Sequence, residues 1–426
     1  MRKIAVFGPG PAFKGGIANY NTSLAKAFNR IPGTELHIIS WTQQYPAIIP
    51  RDFKDRKSRA DQLDGTDIRV HYLTNYNNPF TWYKTYKLIK KLQPEFVIFQ
   101  WSISVQGIPL GWIARKIMGN SSVKVIFDLH FVKQKEGSRI DRWLTKSGIG
   151  NAHCYVVHSL QTASELQDLF SDRRFEIVRH VSEIKNNSAT PCIHLFHPVY
   201  DMFKPDESLD IGALKKELKL RKYVFLFFGF IRKYKGLHFA IEAFAKLAGN
   251  RDDVSLLIVG EAFWQTLDQR KLSTRIKKFL FRVAKLMVLN KEDDENDNLP
   301  LELIHKYGLE EKVTTVIEYI PNEDVHKYFQ VSDAILLFYS RATPSGVESV
   351  AGNFRLPVLA TRTGHFPETI RDGFNGYLAE LNDIPSMAKV MEKIIEQPVK
   401  RENVAIASKE MSWDNYAAAI LGSTFS

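Results

Sequence analysis

The stretch YVFLFFGFIRKYKGLHFAIEAF, residues 223–244, contains the unit that decides the fold. A continuous apolar run ends at Gly229, three cations follow in a short loop, and a helix-like pattern begins after Gly236. A run that is apolar on both faces is typical of a strand in a parallel sheet covered by helices. The stretch therefore predicts a strand–loop–helix unit with Arg232 and Lys235 at the carboxyl end of the strand.

Similar units recur on both sides of this stretch. Short runs rich in Val, Ile and Phe precede it from residue 3 to residue 198, and a second series follows it to residue 361. Helix-like stretches such as IANYNTSLAKAFN, residues 17–29, lie between many of these runs. The alternation predicts an α/β fold with two Rossmann-like domains, whose parallel sheets face each other across a ligand-binding cleft.

The length of 426 residues also favours two domains, because it exceeds what one ordinary core holds. The polar stretch PVYDMFKPDESLD, residues 198–210, carries two prolines and marks the boundary. We predict an N-terminal Rossmann-like domain over residues 1–205 and a C-terminal Rossmann-like domain over residues 206–410.

Composition and charge narrow the class of protein. Hydrophobic content of 44% with 25% charged residues is typical of a folded chain. The two cysteines, Cys154 and Cys192, give no disulfide framework, and no apolar run is long enough for a signal peptide or a bilayer span. We therefore expect a cytoplasmic protein. Its formal charge of +11 favours anionic partners, namely nucleic acid, a membrane surface or phosphorylated small molecules.

Two glycine-containing segments follow predicted strands and suit phosphate binding. GPGPAFKGGIANYN, residues 8–21, joins the first strand to a helix, where backbone N–H groups can approach a phosphate. Its spacing differs from G-x-G-x-x-G, and glycines also suit a plain turn. The second segment, Pro344-Ser345-Gly346, precedes a helix whose free N–H groups and Ser345 hydroxyl can hold a distal phosphate.

Charged side chains near these segments give the remaining candidates. Arg232 and Lys235 can bind a diphosphate, although a solvated basic loop has the same composition. Glu348 can accept a hydrogen bond from a ribose hydroxyl or serve as a first-turn acid that complements the helix dipole. His130 follows a buried strand and is expected to face the cleft, where it can contact a sugar hydroxyl, or to be structural. No metal-binding motif is visible, so we expect no metal and no cofactor.

The ordered set of motifs resembles the family-4-type retaining glycosyltransferases with the GT-B fold. The resemblance covers nearly the whole chain, and SWDNYAAAI at 412–420 resembles the family's closing helix, so we expect residues 411–426 to cross back to the first domain. The specific motifs are GGIANY at 15–20, FGFIRKYKG at 228–236, IVGEAFW at 258–264, YIPNEDVHKYFQVSD at 319–333, and SGV, LPVLAT and GHFPETIRDGFNGYL within 345–378.

The resemblance implies a role for each matching residue. Gly15 and Gly16 let backbone approach the donor pyrophosphate, and Arg232 and Lys235 neutralise its charge as the nucleoside diphosphate leaves. The remaining matches are Ser345, Gly346 and Val347 at the pyrophosphate, Gly260 and Glu261 near the nucleoside, and His130 near the transferred sugar. The resemblance also implies retention of anomeric configuration without a metal. It further implies that the domain over residues 1–205 binds the acceptor and the domain over residues 206–410 binds the nucleotide sugar.

One departure from the family's pattern concerns two glutamates. Many relatives carry a pair separated by seven residues before the Pro-Val strand, and the corresponding positions here are Ala342 and Val350. The sequence instead resembles a branch that carries Ser-Gly-Val in this loop. Glu348 is displaced from the expected ribose-binding position by two residues.

The function that these motifs predict is transfer of a sugar from a nucleoside diphosphate to a glycan or lipid-linked glycan, in surface polysaccharide biosynthesis. A sugar-nucleotide epimerase with the same architecture is one alternative, although no carboxylate pair is evident. A nucleotide-sugar-binding protein with a degenerate site is another. Nucleic acid is not an expected partner, because acids interrupt the basic residues and no recognition module is visible.

Residues 270–291 carry cations alternating with apolar residues at helical spacing. Such a helix suits the inner face of an anionic cell membrane, where polyprenyl-linked acceptors reside. It suits equally a helix that covers the second domain's core with its charges in water.

Overall fold

The structure of the chain is a computed structural model that describes residues 1–46, 53–58, 61–132, 139–183, 189–200, 202–261, 299–344 and 346–421. Within these ranges the residues form two parallel sheets with helices packed against them. The first sheet has eight strands and the second has six. The predicted boundary at residue 205 falls between the two sheets.

The first sheet has the strand order β3-β2-β1-β4-β5-β6-β8-β7, and every pairing is parallel. Of its central strands, β4 is buried at every residue and β5 at every residue but Lys124, as the near-continuous apolar runs predict. The strands are β1 (Arg2–Phe7), β2 (Thr34–Gln43), β3 (Arg69–Asn75), β4 (Phe96–Trp101), β5 (Lys124–Leu129), β6 (Cys154–Val157), β7 (Phe175–Val178) and β8 (Thr190–His194).

Helices connect these parallel strands and cover the sheet. Trp82, Ile113 and Ile149 belong to one cluster of buried residues on one side, and Tyr20 and Phe28 of the first helix belong to another. The helices are α1 (Gly16–Asn29), α2 (Pro79–Leu92), α3 (Gly107–Asn120), α4 (Arg139–Ile149) and α5 (Leu160–Leu169).

The second sheet has the order β11-β10-β9-β12-β13-β14, also with parallel pairing throughout. Its strands are β9 (Tyr223–Phe228), β10 (Val254–Val259), β11 (Val313–Val316), β12 (Ala334–Leu337), β13 (Val358–Thr361) and β14 (Gly376–Ala379). Its helices are α6 (Ile211–Glu217), α7 (Leu237–Ala248), α8 (Glu302–Lys306), α9 (Val325–Gln330), α10 (Gly346–Asn353), α11 (Phe366–Thr369), α12 (Ile384–Glu396) and α13 (Arg401–Lys409).

The last described helix, α14 (Trp413–Leu421), lies against α1 of the first domain. Tyr416 donates a hydrogen bond to Asp128 Oδ2 at 2.8 Å, and Arg30 forms an ion pair with Asp414 at 2.8 Å. The buried bond between Tyr416 and Asp128 ties the end of the chain to β5. The two domains are therefore joined by the connection after β8 and by the return of the chain through α14.

Candidate functional site

A cleft of about 300 Å³ lies where the carboxyl ends of strands from both sheets face each other. This is the position at which parallel α/β sheets bind ligands. Seven of the eleven predicted site residues line it: Gly15, Gly16, Lys235, Gly260, Glu261, Gly346 and Val347. Arg232, His130 and Glu348 are not among the lining residues, and Ser345 lies outside the described residues.

Two glycines form part of the cleft at the ends of β9 and β10. Gly229 has φ of 102° and Gly260 has φ of 146°, which L side chains rarely adopt. A Cβ atom on Gly260 would collide with the carbonyl oxygen of Gly229. The two strand ends therefore pack backbone against backbone, and a ligand at this point meets peptide groups rather than side chains.

Lys235 is a buried cation beside these glycines. Its Nζ lies 5.7 Å from the centre of the Tyr339 ring, and no ion pair among the described residues includes it. Burial, together with the nearby charge of Arg232, lowers its pKa to about 8. A buried lysine without a carboxylate partner is costly unless an anion joins it. The structure thus places a cation that lacks a described counterion in the wall of the cleft.

The first turn of α10 also faces the cleft. Gly346 and Val347 line it, and the first N–H groups of a helix have no partner within the helix. The helix dipole adds partial positive charge at the same point. These groups and Lys235 surround one region of the cleft, which suits a phosphate.

Tyr200 connects the glycine segments of the two domains, and the sequence analysis did not single it out. Its hydroxyl donates to the carbonyl oxygen of Gly16 at 2.8 Å. A Cβ on Gly346 would lie 3.0 Å from Tyr200 Cε2, so the ring packs directly against the start of α10. Burial raises the pKa of Tyr200, which keeps the phenol protonated and able to donate. The signal available in the sequence was an aromatic residue inside a polar connection.

Glu348 points away from the cleft and into the second domain. Its carboxylate lies 2.5 Å from His365 Nε2 and accepts a hydrogen bond from Thr369 Oγ1 at 2.5 Å. Val350, at the second family glutamate position, lines the cleft with an apolar side chain. Val350 has no carboxylate, and the carboxylate of Glu348 is turned away from the cleft. Glu348 therefore lacks the contact with the cleft that a ribose-binding role requires.

Glu261 supplies a carboxylate inside the cleft instead. Lys14, from the glycine segment of the first domain, approaches its Oε1 to 3.6 Å, and both side chains are about nine-tenths buried. The Lys14 ammonium also lies 5.0 Å from the centre of the Tyr319 ring. The second oxygen, Glu261 Oε2, is buried and has no hydrogen-bond partner among the described residues. Such an oxygen is costly to leave unpaired and is suited to accept from a bound ligand.

A loop from the first domain, residues 53–58, contacts two residues that line this end of the cleft. Tyr319 donates to Asp55 Oδ2 at 2.8 Å, and Lys57 pairs with Glu318 at 3.1 Å. Hydrogen bonds to Asp55 from neighbouring groups hold its pKa below the usual range, although burial acts in the opposite direction. Asp55 therefore contacts Tyr319, in the segment after β11, as an ionised carboxylate.

His130 lies in a buried cluster behind the glycine segment. Its Nε2 is 2.8 Å from Gln100 Oε1, and its ring packs edge-on against Tyr20 at 4.7 Å between centroids. Burial lowers its pKa to about 4, so the ring is neutral at physiological pH. The same cluster contains His158, which contacts Asp128 Oδ1 at 2.8 Å. The expectation that His130 contacts the transferred sugar stays a prediction, because this side chain does not line the cleft described here.

Another histidine of this cluster links the domains. His197 Nδ1 lies 2.7 Å from the hydroxyl of Ser349 on α10. Burial lowers the pKa of His197 well below its usual value, so this contact is an uncharged hydrogen bond. It fixes α10 against the end of the first domain. Across the described ranges, no three His, Cys, Asp or Glu side chains are grouped so as to hold a metal ion.

Comparisons with known proteins agree with this architecture. Residues 213–411 match the family described as glycosyl transferases group 1. Over 206 residues the chain is 21% identical to spore coat protein SA of Bacillus subtilis (strain 168), a match that covers 48% of each protein. The chain thus aligns with about half the length of this curated relative.

Solved structures resemble the chain over nearly its full length. A glycosyltransferase from Rickettsia africae ESF-5 has a TM-score of 0.63 at 17% identity, covering 98% of this chain and 96% of that one. HepE of Anabaena in complex with UDP-glucose has a TM-score of 0.63 at 14% identity, covering 97% and 98%. The chain therefore has the predicted GT-B fold of two Rossmann-like domains, and its residues 213–411 match the model of the glycosyl transferases group 1 family.

Proposed function

We propose that the protein is a retaining, metal-independent glycosyltransferase that moves a sugar from a nucleoside diphosphate to a glycan or lipid-linked glycan acceptor. The observation that carries the proposal is Lys235, a buried cation in a two-domain cleft with no carboxylate partner among the described residues. A diphosphate satisfies this charge. No neutral ligand would do so.

The proposed position of the donor follows from the charged groups at the two ends of the cleft. Lys235 and the first turn of α10 take the diphosphate, with Arg232 contributing charge from the same loop. Glu261 and Tyr319 lie at the nucleoside end, where the free Glu261 Oε2 accepts from a ribose hydroxyl. In this arrangement Glu261 has the ribose-binding role that Glu348 lacks.

The proposed chemistry relies on charge stabilisation of the leaving group. As the bond from the sugar to the diphosphate breaks, negative charge grows on the phosphate oxygens. Lys235 and the N–H groups of α10 are already oriented toward that charge in a site partly closed from water. Removal of one such donor typically lowers kcat by about 10²–10³-fold.

The relatives indicate which donor to test first. HepE was solved with UDP, with UDP-glucose, and with UDP and glucose, and another neighbour is described as the lipopolysaccharide outer core galactosyltransferase WaaB. We therefore propose a uridine diphosphate hexose as donor and a surface polysaccharide intermediate as acceptor, with the reaction in the cytoplasm.

A second candidate is a nucleotide-sugar-binding protein without turnover. The observation that favours it is the orientation of Glu348 toward His365 and Thr369, together with the apolar Val350 at the cleft. Both candidates bind a nucleotide sugar, so binding alone does not separate them.

Calorimetry against UDP, GDP, ADP and their sugar conjugates, without metal, tests the shared part of both proposals. Lys235→Met should weaken binding of the preferred series, whereas substitution of Lys233, an exposed cation of the same loop, by Met should leave binding unchanged. Release of nucleoside diphosphate in the presence of a glycan acceptor pool then separates transfer from binding. Conversion of the sugar nucleotide without acceptor would indicate the epimerase instead. Absence of binding to every nucleotide would refute both leading candidates.

A further inference from the structure

Three consecutive helices of the first domain expose large apolar side chains near their starts. These are Phe80 and Tyr83 in α2, Ile108 in α3, and Ile140 and Trp143 in α4, each within the first five residues of its helix. Phe80 is 82% exposed and Trp143 is 59% exposed. We call this set of five residues the apolar rim.

The topology places the apolar rim beside the cleft. Helices α2, α3 and α4 follow β3, β4 and β5, which are parallel strands of one sheet. Each helix therefore starts at the carboxyl edge of that sheet, where the Gly15–Gly16 segment also lies after β1. Adjacent helices pack together, with Trp82 of α2 and Trp112 of α3 at 6.4 Å between ring centroids.

The rest of the outer surface of these helices is basic. The helices carry nine lysines and arginines, all exposed, and one acid, Asp141, which accepts a hydrogen bond from Ser104. Lys84, Lys87, Lys90 and Lys91 form a stripe along α2 below Phe80. The next helix, α5, has no lysine or arginine and contains Glu165 and Asp168. Most of the chain's formal charge of +11 is thus concentrated on α2, α3 and α4.

We propose that the apolar rim and the basic surface of α2–α4 dock the protein on an anionic lipid bilayer. The five apolar side chains enter the headgroup region, and the lysines and arginines contact lipid phosphates around them. This orientation turns the opening of the cleft on the first-domain side toward the membrane. No described helix is long and apolar enough to cross a membrane.

The chemistry of the patch favours lipid over nucleic acid. Aromatic and basic residues suit either partner, but the exposed aliphatic residues Ile108 and Ile140 offer no stacking surface or hydrogen bond to a base. Transfer of aliphatic side chains from water to the acyl boundary of a bilayer lowers the free energy. An exposed apolar cluster beside cations therefore suits the acyl boundary and the anionic headgroups next to it. The proposed surface includes no residue of 270–291, a range that lies outside the described residues.

Sedimentation of the full chain with vesicles tests the proposal independently of catalysis. The protein should sediment with vesicles of equimolar phosphatidylcholine and phosphatidylglycerol, and not with phosphatidylcholine alone. Combined Lys84→Glu and Lys87→Glu should weaken binding by on the order of fivefold or more for each lysine. Combined Phe80→Ser and Trp143→Ser should weaken it by at least about tenfold.

Matched controls keep the test decisive. Ile406, on α13 of the second domain, is 51% exposed, and Ile406→Ser should leave vesicle binding unchanged. Lys389→Glu with Lys400→Glu reverses two exposed charges away from the patch and should also leave it nearly unchanged. All of these positions are exposed, and thermal unfolding checks that each variant folds.

The proposal is overturned if wild-type protein does not sediment, or if binding survives the rim variants but is lost on charge reversal in 270–291. Tighter binding to a single-stranded oligonucleotide than to the vesicles would also overturn it.

Discussion

The hydroxyl of Tyr200 donates a hydrogen bond to the carbonyl oxygen of Gly16, 2.8 Å away and 184 residues earlier in the chain. The same ring packs against Gly346 at the start of α10. Gly16 and Gly346 both line the cleft, one from each domain. Tyr200 therefore sets the distance between two backbone segments that a diphosphate is proposed to contact together.

Tyr200→Phe should weaken nucleotide binding while retaining the fold. The variant keeps the ring against Gly346 but loses one buried hydrogen bond, which contributes about 0.5–1.5 kcal/mol. We expect nucleotide affinity to fall by about two- to tenfold in calorimetry. Tyr155→Phe is the control, since Tyr155 donates to Ile149 at 2.6 Å inside the first domain and away from the cleft. Equal losses of affinity in both variants would mean that only general stability has changed.

Nucleotide affinity should fall as the pH rises above about 8. Burial lowers the pKa of Lys235 to about 8 in the free protein, and a bound diphosphate raises it by favouring the ammonium form. Affinity should therefore be constant below this pKa and decrease by up to about tenfold for each pH unit above it. Calorimetry between about pH 7 and pH 9.5 measures this, and proton uptake should accompany binding near the upper end. Lys235→Met should bind more weakly and lose the pH dependence, whereas exposed Lys233→Met should behave as wild type.

Much of this architecture could be predicted from local sequence patterns. The apolar runs around Gly229 and Gly260 identify buried parallel strands, and their order along the chain fixes which ends face the cleft. Seven predicted site residues line the cleft. Strand ends, helix starts and glycine placement indicated Gly15, Gly16, Lys235 and Gly346. The family resemblance alone indicated Gly260, Glu261 and Val347.

The contacts between the domains could not be predicted in the same way. Tyr200 lies in a polar connection whose sequence indicates only a boundary, and its partners are remote in the chain. Nothing in the local sequence pairs Lys14 with Glu261, which the domains bring to 3.6 Å from each other. The sequence identifies Glu348 only as an acid in the first turn of a helix. The direction of its side chain depends on His365, which is 17 residues later in the chain and contacts its carboxylate. Such contacts depend on the packing of two domains, for which no local propensity exists.

Glu261→Gln should reduce affinity for the nucleoside portion of the ligand. The substitution keeps the side chain's shape but replaces a charged acceptor with a neutral amide, and hydrogen bonds to charged groups contribute about 1.5–3 kcal/mol. We expect a loss of about tenfold or more for the nucleoside diphosphate and little change for inorganic pyrophosphate. Glu318→Gln is the matched control, since Glu318 lines the same cleft but its side chain is 60% exposed and paired with Lys57. A similar loss for pyrophosphate would place Glu261 at the phosphates and contradict the assignment.

His130→Gln should make the first domain less sensitive to acid. Burial lowers the pKa of His130 to about 4, below the value of 6.5 expected in the unfolded chain. Between these values the unfolded state binds more protons than the folded state, so stability is present above pH 6.5 and is lost as the pH falls toward 4. The shift corresponds to on the order of 3 kcal/mol between about pH 7 and pH 4.

Urea unfolding at these two pH values, followed by tryptophan fluorescence, measures the effect, since Trp41 and Trp101 are buried in the first domain. The variant should lose about 3 kcal/mol less than wild type on acidification, although Gln can still bond to Gln100 and retain the fold. The control is His305→Gln, because that side chain is 92% exposed and cannot carry a burial effect. An unchanged acid response in His130→Gln would show that the imidazole gains a proton while folded. That outcome would imply a solvent path from the cleft to His130, and it would strengthen the predicted contact between this histidine and the transferred sugar.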